Sequence, residues 1–572
     1  MGEIGLLETI ERCLWSAPSG PRLVIWQDGG APTELSAAQI LTEVRVASER
    51  LVEQGVTRGE LVVVLMRDLA ASIVAFFAVM AAGGLPTLRP CPVRWRTDRS
   101  VRSFVSRVQP CVVLTSGEHA GPARAALDEL ECRVIGFDEL GPEATTAFGS
   151  ARAWGTKSAP VQGSTAFVQF TSGSTGRPKG VALSDAAVLA QIRHFSTALP
   201  FDERSVNVSA LPLFHDMGLV TQVLMPFVCG AQSVVLDPKH WVRRPVRLLQ
   251  AVSRYRGTMT WMPNFAFRHC VRGIRKSDLD GIDLSSWSVV GNGSEPIDIA
   301  AMADFERFLA GAGLRATALR TGYGLAETVL SATVSRPGTP LRTSRPGGLE
   351  SPPGASDGGT GGRRTEFVSC GAPIPGVEIR VVDPAGRDRP RAEVGEILVR
   401  SASMFHGYYG EPPSASQRLR GGWLHTGDLG YLCDGELFVC GRINDVIVTG
   451  GRKFCPESME CEISRVAGDE VAGAVVFGLY DARIGTQAVV AVLERARRLG
   501  ETERTHLERR VRVRVMEAFD VGLRSIEIVR RGWICRTSSR KVARARSRTR
   551  YLEQFGRVRN GPALDLPYQP QS

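Results

Sequence analysis

No hydrophobic run in this chain is long enough to cross a bilayer. The most apolar stretch, Leu69 to Ala82, covers 14 residues, against the ~20 that a membrane helix needs, and reads as a buried helix. The start, Met1-Gly-Glu-Ile-Gly-Leu-Leu-Glu, carries acids where a secretory leader has a basic region, so no signal peptide is expected. The 12 cysteines are scattered without a Cys-x-x-Cys pair. That argues against structural zinc and fits reduced thiols in a cytoplasmic protein. Acids are absent between Arg530 and Arg550, where nine basic residues fall (Arg530, Arg531, Arg536, Arg540, Lys541, Arg544, Arg546, Arg548, Arg550); without them the net charge of +11 becomes +2. The run lacks the aromatic interleaving of a nucleic-acid site, so no nucleic-acid partner is expected. It reads as a solvated face, or as a surface turned towards phosphates or an acidic protein.

At 572 residues, with 43% hydrophobic and 23% charged content, the chain is of ordinary globular composition and too long for one core. Residues 1–160 alternate strand and helix patterns. Pro21–Trp26, Leu61–Met66, Val112–Leu114 and Val134–Phe137 read as strands, and Leu69–Ala82 and Pro122–Leu130 as helices. Ser36 with Gln39 makes a capping box that opens a helix with Leu41, Val44, Ala47 and Leu51 on one face. Apolar strands alternating with helices predict a parallel sheet covered on both faces. The rhythm returns at Asn207–Leu213, Ser233–Leu236, Met259–Met262, Ser288–Gly291 and Arg320–Gly324. Residues 336–364 are rich in Gly, Pro and Ser and predict a long loop. Beyond it, Val377–Val382, Glu396–Arg400 and Glu436–Cys440 predict antiparallel strands, with Asp434-Gly435 as a hairpin turn. A small α+β region begins near Gly441.

One stretch stands out chemically. After the apolar Ala166-Phe167-Val168 comes Phe170-Thr-Ser-Gly-Ser-Thr-Gly-Arg-Pro-Lys-Gly180. Thr171, Ser172, Ser174 and Thr175 supply hydroxyls. Gly173 and Gly176 let the backbone approach an anion, and Lys179 supplies a point charge suited to phosphate. It is not the P-loop: Pro178 precedes the lysine and a glycine follows it, so the loop does not open a helix. Its neighbours in the crevice are expected at the C-terminal ends of parallel strands, where five of the most distinctive strings fall.

This string closely resembles the phosphate loop of the adenylate-forming enzymes: acyl-CoA synthetases, firefly luciferase and peptide-synthetase adenylation domains. Four further strings match that family in order. They are Tyr323-Gly324-Leu325-Ala326-Glu327, Thr426-Gly427-Asp428, Gly441-Arg442-Ile443-Asn444-Asp445 at the domain hinge, and Arg536-Thr-Ser-Ser-Arg-Lys541 at the catalytic-lysine loop. Within the family, Leu211 through Leu219, Pro263 through Phe267, Asn292-Gly293-Ser294-Glu295-Pro296 and Val368-Ser-Cys-Gly371 are similar to fatty acyl-AMP ligases. Those carry an insertion where residues 336–364 stand here. Two positions depart from the pattern: Arg540 replaces the glycine before the lysine, and the hinge residue is Asn444.

The resemblance implies a fold and a chemistry. The fold is α/β: a large N-terminal domain (1–443) of α/β sheets plus a small antiparallel sheet region, a small mobile α+β C-terminal domain (444–560), and a tail (561–572). ATP and Mg²⁺ are the implied cofactors. Lys541 and Glu327 would be catalytic, Glu327 as the Mg²⁺ ligand. Thr171, Ser172, Gly173, Ser174, Thr175, Gly176, Lys179, Ser294, Glu295, Pro296, Tyr323, Gly324, Asp428 and Arg442 would bind ATP. Tyr323 would pack on adenine and Asp428 would accept both ribose hydroxyls. His215, Asn264, Phe265, Asn292 and Gly293 would line the acid pocket, and Asn444 would be the hinge. The implied reaction converts a fatty or related carboxylic acid into acyl-AMP, releases pyrophosphate, and passes the acyl group to the phosphopantetheine thiol of an acyl carrier protein. Transfer to CoA, adenylation of another oxyanion such as nitrite, and a non-catalytic nucleotide-binding protein on the same fold stand as alternatives.

Overall fold

A computed structural model describes residues 4–16, 20–26, 30–95, 97–140, 165–171, 179–346, 366–411, 418–537 and 541–559. Among them no helix is long and apolar enough to cross a membrane. Leu69–Ala81 is a helix, started by Asp68, whose side chain accepts the Ala71 N–H at 2.7 Å. Nearly all of its circumference is buried, which is why it reads as uniformly apolar.

The early strands do not form the single sheet that their rhythm predicts. Leu61–Leu65 pairs in parallel with Leu85–Leu88 and Val112–Thr115, and Arg133–Gly136 completes a four-stranded sheet. Pro21–Trp26 instead joins a second, nine-stranded sheet beside Gln232–Leu236. Period and composition are alike in both sets, so the pattern carries no information on which sheet a strand enters. The helix expected from Pro122 starts earlier, at Gly117, and ends at Leu127. Its first turn is capped from outside, since the Gly117 N–H donates to Asp138 Oδ2 at 2.7 Å, and Pro122 sits inside the helix.

Four parallel strands in the middle of the nine-stranded sheet carry the loops of interest: β1 (Val206–Ser209), β2 (Met259–Met262), β3 (Val289–Asn292) and β4 (Leu319–Tyr323). The run read as a strand to Leu213 stops at Ser209, freeing the chain ahead of His215. A third sheet, Gly407–Tyr408, Lys179–Ser184 and Thr165–Thr171, is antiparallel. The hydroxyl-rich string therefore links two strands of a hairpin. Four of the five strings, not all five, sit at the ends of parallel strands.

Beyond the loop, Thr343–Ser344 pairs with Phe367–Val368. The rest of the Gly/Pro/Ser-rich segment, 347–365, lies outside the described residues. A five-stranded sheet follows, antiparallel as expected, in which β5 (Trp423–Cys433) and β6 (Glu436–Arg442) form a hairpin. Asp434 (φ +53°) and Gly435 (φ +76°) turn it in the left-handed region that such hairpins favour. The C-terminal region is a three-stranded sheet, Val471–Asp481, Thr486–Arg495 and Leu523–Val529. One face packs on helices Pro456–Ala467 and Glu501–Phe519, the other on helix Arg544–Arg559.

Candidate active site

The loops after β1 to β4 converge, and three glycines allow close approaches among them. A Cβ on Gly218 would land on the Pro212 carbonyl, one on Gly291 on the Trp261 ring, and one on Gly324 on the Leu330 carbonyl. Two of these obstacles are backbone and cannot swing aside. Gly324→Ala is therefore expected to destabilise the protein by about 1–3 kcal/mol, seen as a lowered melting temperature. An unchanged melting temperature would mean that the 324–331 turn relaxes freely.

After β1, His215 Nδ1 lies 2.5 Å from Asp216 Oδ1, and the Met217 N–H donates to the same oxygen at 2.7 Å. Burial pushes the Asp216 carboxyl up, but His215, Lys541 and the Met217 N–H outweigh it and hold the group well below the usual carboxylate range. After β2, Asn264 is a hub. Its Oδ1 accepts Asn292 Nδ2 at 2.7 Å and the Asp298 N–H at 2.9 Å. Its Nδ2 donates to the Pro296 carbonyl at 2.5 Å, and its own N–H donates to Glu295 Oε1 at 2.9 Å. Asn264, expected to line the acid pocket with Asn292, spends these groups on Asn292, Glu295, Pro296 and Asp298 and so braces the loops after β2 and β3. Phe265 is 38% exposed, with its ring 6.1 Å from that of Trp241. Gly293 leaves 3.2 Å between a would-be Cβ and the Gly322 carbonyl, and Ser294 adopts φ +76°. That is an uncommon conformation for serine and marks a constrained turn.

After β4, Tyr323 is buried and its hydroxyl donates to Asp428 Oδ2 at 2.8 Å, while Arg442 Nε donates to Asp428 Oδ1 at 3.1 Å. Asp428 on β5 and Arg442 on β6 are paired across the hairpin, which fixes this contact. Burial and the Asp428 charge push the Tyr323 hydroxyl far up. Glu327 is buried, and its Oε1 accepts both the Tyr408 hydroxyl at 2.8 Å and Arg418 Nη1 at 2.9 Å. Lys179 Nζ in turn sits 4.6 Å over the Tyr408 ring. Lys179, Tyr408, Glu327 and Arg418 thus form a chain from the phosphate-loop hairpin to β4. Thr171 faces Lys179 in that hairpin. Ser172, Gly173, Ser174, Thr175 and Gly176 lie outside the described residues.

From the C-terminal region comes Lys541. Arg536 bridges Val542, the Thr537 N–H donates to the Lys541 carbonyl at 2.8 Å, and the Ala543 N–H donates to the Cys535 carbonyl at 2.8 Å. These contacts pin both stems of the lysine loop. Arg540 lies outside the described residues. Burial lowers the affinity of Lys541 for its proton, and Arg442 lowers it further. Asp216, Glu295 and Asp428 act the other way, and the net effect is downward. The Glu295 carboxyl is pushed up by burial, against the pull of Lys541, the Asn264 N–H and Arg536. The lysine therefore faces carboxylates from three separate segments of the large region, the loops after β1 and β3 and strand β5. An exposed ion pair, Arg272 to Asp469 at 2.6 Å, joins the two regions as well, and such a pair is worth ~0–1 kcal/mol. Asn444 is exposed in a short turn, Ile443–Asp445, directly after Arg442.

Sequence reasoning missed Tyr408, Arg418 and Trp261, and left Asp216 and Arg536 without a role. Both were inside quoted strings. Tyr408 and Arg418 reach Glu327 from 81 and 91 residues away, in segments without a motif.

The chain is similar to proteins that work on acyl adenylates. It is 30% identical to the long-chain-fatty-acid–AMP ligase FadD26 of Mycobacterium marinum, over 91% of this chain and 92% of that protein. It is 29% identical to the medium-chain-fatty-acid–[acyl-carrier-protein] ligase JamA of Moorena producens, over 91% and 90%. Among solved structures, one from work on fatty acyl-adenylate ligases of E. coli and L. pneumophila superposes with a TM-score of 0.82 at 27% identity, covering 97% of this chain and 98% of that one. The family model for AMP-binding enzymes matches residues 16–409, and the chain belongs to that family.

Proposed function

We propose that the protein joins ATP to a fatty or related carboxylic acid. A carboxylate oxygen attacks the α-phosphorus, pyrophosphate leaves, and acyl-AMP forms. A thiolate then attacks the acyl carbon and AMP leaves. The thiol acceptor is the phosphopantetheine arm of an acyl carrier protein, the partner named for the JamA relative. The observation that carries this reading is Lys541, delivered from the small region into a cluster of carboxylates on the large one. A desolvated ammonium there is suited to the charge that builds between the attacking carboxylate and the α-phosphate.

Asp428 and Arg442 hold the ribose side of the nucleotide in this reading, and Tyr323 flanks the base while anchoring Asp428. Lys179 and the hydroxyl-rich string hold the β- and γ-phosphates. His215 and Phe265 border the acid pocket, with Gly291, Gly293 and Trp261 as its floor. Glu327 suits a hard cation. Glu327 would hold Mg²⁺ through a hard carboxylate oxygen, and the ion would supply charge neutralisation on the phosphates. Arg418 and Tyr408 hold Glu327 in place. Asn444 is the hinge, dividing residues 1–443 from 444–560, and the small domain turns about it between the two half-reactions.

Acid-dependent ATP–pyrophosphate exchange across acids of rising chain length, aryl acids and nitrite tests the first step. Exchange with medium- or long-chain acids is expected. Exchange with nitrite or aryl acids alone would overturn the fatty-acid assignment, and ATP binding without any exchange would overturn the ligase. Acyl transfer to holo-carrier protein at a rate well above that to CoA is expected in the second step; the reverse order would make the protein a CoA ligase.

A further inference from the structure

The basic run that the active site only partly uses builds a second feature. A cavity of about 550 Å³ opens in the C-terminal region, away from the convergent loops of β1 to β4. Arg495, Arg504, Arg530 and Arg550 line it, and Glu527 is the one acid in its wall among the described residues. They come from four elements: the end of strand Thr486–Arg495, helix Glu501–Phe519, the segment after strand Leu523–Val529, and helix Arg544–Arg559. Two guanidiniums are fixed in place. Arg504 donates to the Ile528 carbonyl at 2.8 Å, and Arg550 donates to the Trp533 carbonyl at 2.7 Å while lying 5.1 Å over the Trp533 ring. Arg495 and Arg530 have no ion-pair partner among the described residues. Trp533 and Phe555, with ring centroids 6.1 Å apart, supply an aromatic wall.

Four guanidiniums facing one carboxylate across a concave site repel one another unless an anion enters. Guanidinium forks match phosphate oxygens in pairs, and the aromatic wall suits an apolar or ring-bearing body. The volume falls in the range of small-molecule sites and exceeds what inorganic phosphate fills. We propose that this cavity binds a small organophosphate, a phosphate monoester carrying a ring-bearing or apolar group. The site stands apart from the proposed ligase chemistry. It does sit at the root of the lysine loop: Arg530 lies on the incoming stem and Arg550 on the outgoing helix, so a ligand gripping both ties the two ends of that loop together.

Calorimetry on the full-length protein with phenyl phosphate tests this, with benzyl alcohol as the uncharged control. The wild type is expected to bind phenyl phosphate and not benzyl alcohol. Arg495→Gln combined with Arg530→Gln, two side chains without a structural ion pair, is expected to weaken binding about tenfold or more through lost charge-assisted hydrogen bonds. The melting temperature and acid-dependent exchange of this variant should match those of the wild type. Absence of binding to the wild type overturns the proposal. Undiminished binding to the double variant does so too, since the phosphate ester then sits in the nucleotide site, and so does equal binding of benzyl alcohol. None of these outcomes bears on acyl-AMP formation.

Discussion

Lys541→Ala is expected to lower acid-dependent ATP–pyrophosphate exchange by about 10²–10³-fold, the loss typical of removing one donor that stabilises a transition state in a dry site. The lysine is placed by its stems, through the Arg536–Val542 bridge and two backbone hydrogen bonds. It faces Asp216, Glu295 and Asp428, and among the described residues no other lysine acts on Asp216 or Glu295. Truncation leaves the Tyr323–Asp428–Arg442 contact intact, so equilibrium binding of ATP should change less than fivefold. Thioester formation from preformed acyl-AMP should stay within a few-fold of the wild type, because in the proposed cycle the small domain has by then turned Lys541 away. A variant that loses both half-reactions equally would show that Lys541 is structural. A variant that keeps exchange would remove it from the chemistry.

The same residue shows how far the sequence carried the argument. Lys541 sits in a basic run where a lysine is ordinarily solvated, and only the string around it marked it out. The loops after β1 to β4 were legible because each combines a short apolar strand with side chains that have little packing use, such as His215-Asp216 or Asn292-Gly-Ser-Glu295. What the sequence hid were the partners of those residues. Glu327 is held by Tyr408 from an edge strand and by Arg418 from a loop, and neither segment has periodicity or unusual composition. The two α/β sheets were also indistinguishable, since Pro21–Trp26 and Leu61–Leu65 differ in partner and not in pattern. The basic run was read as a solvated face, a phosphate-facing surface or a protein-facing one. In fact it splits: Lys541 faces Asp216, Glu295 and Asp428, Arg530 and Arg550 line a cavity, and Arg544 is buried.

Arg544 carries the second large expected effect. Three residues past Lys541, it donates to Glu460 Oε1 and Oε2 at 2.9 and 3.0 Å and to the Val476 carbonyl at 3.0 Å. It also pairs with Glu457 at 2.9 Å and with Asp445, the neighbour of Asn444, at 3.6 Å. It thereby ties the lysine loop to the Ile443–Asp445 turn. Arg544→Met leaves Glu457 and Glu460 buried without their counter-charge, which is expected to destabilise the C-terminal region by about 3–5 kcal/mol. The loss has a pH signature. Burial pushes the Glu460 carboxyl from 4.5 up to about 7 even with Arg544 beside it, and Glu457 is pushed up for the same reason. The folded protein therefore holds these protons more tightly than the unfolded chain. The stability that protonation lends is complete below about pH 4.5 and disappears as pH rises through about 7. Without the guanidinium both carboxyls rise further, so melting of Arg544→Met should approach that of the wild type near pH 5 and fall furthest below it near pH 8. Adding Glu457→Gln and Glu460→Gln should flatten that dependence and recover part of the stability. A deficit that is the same at both pH values, or one that the glutamines deepen, would show that Arg544 acts through packing and not through charge.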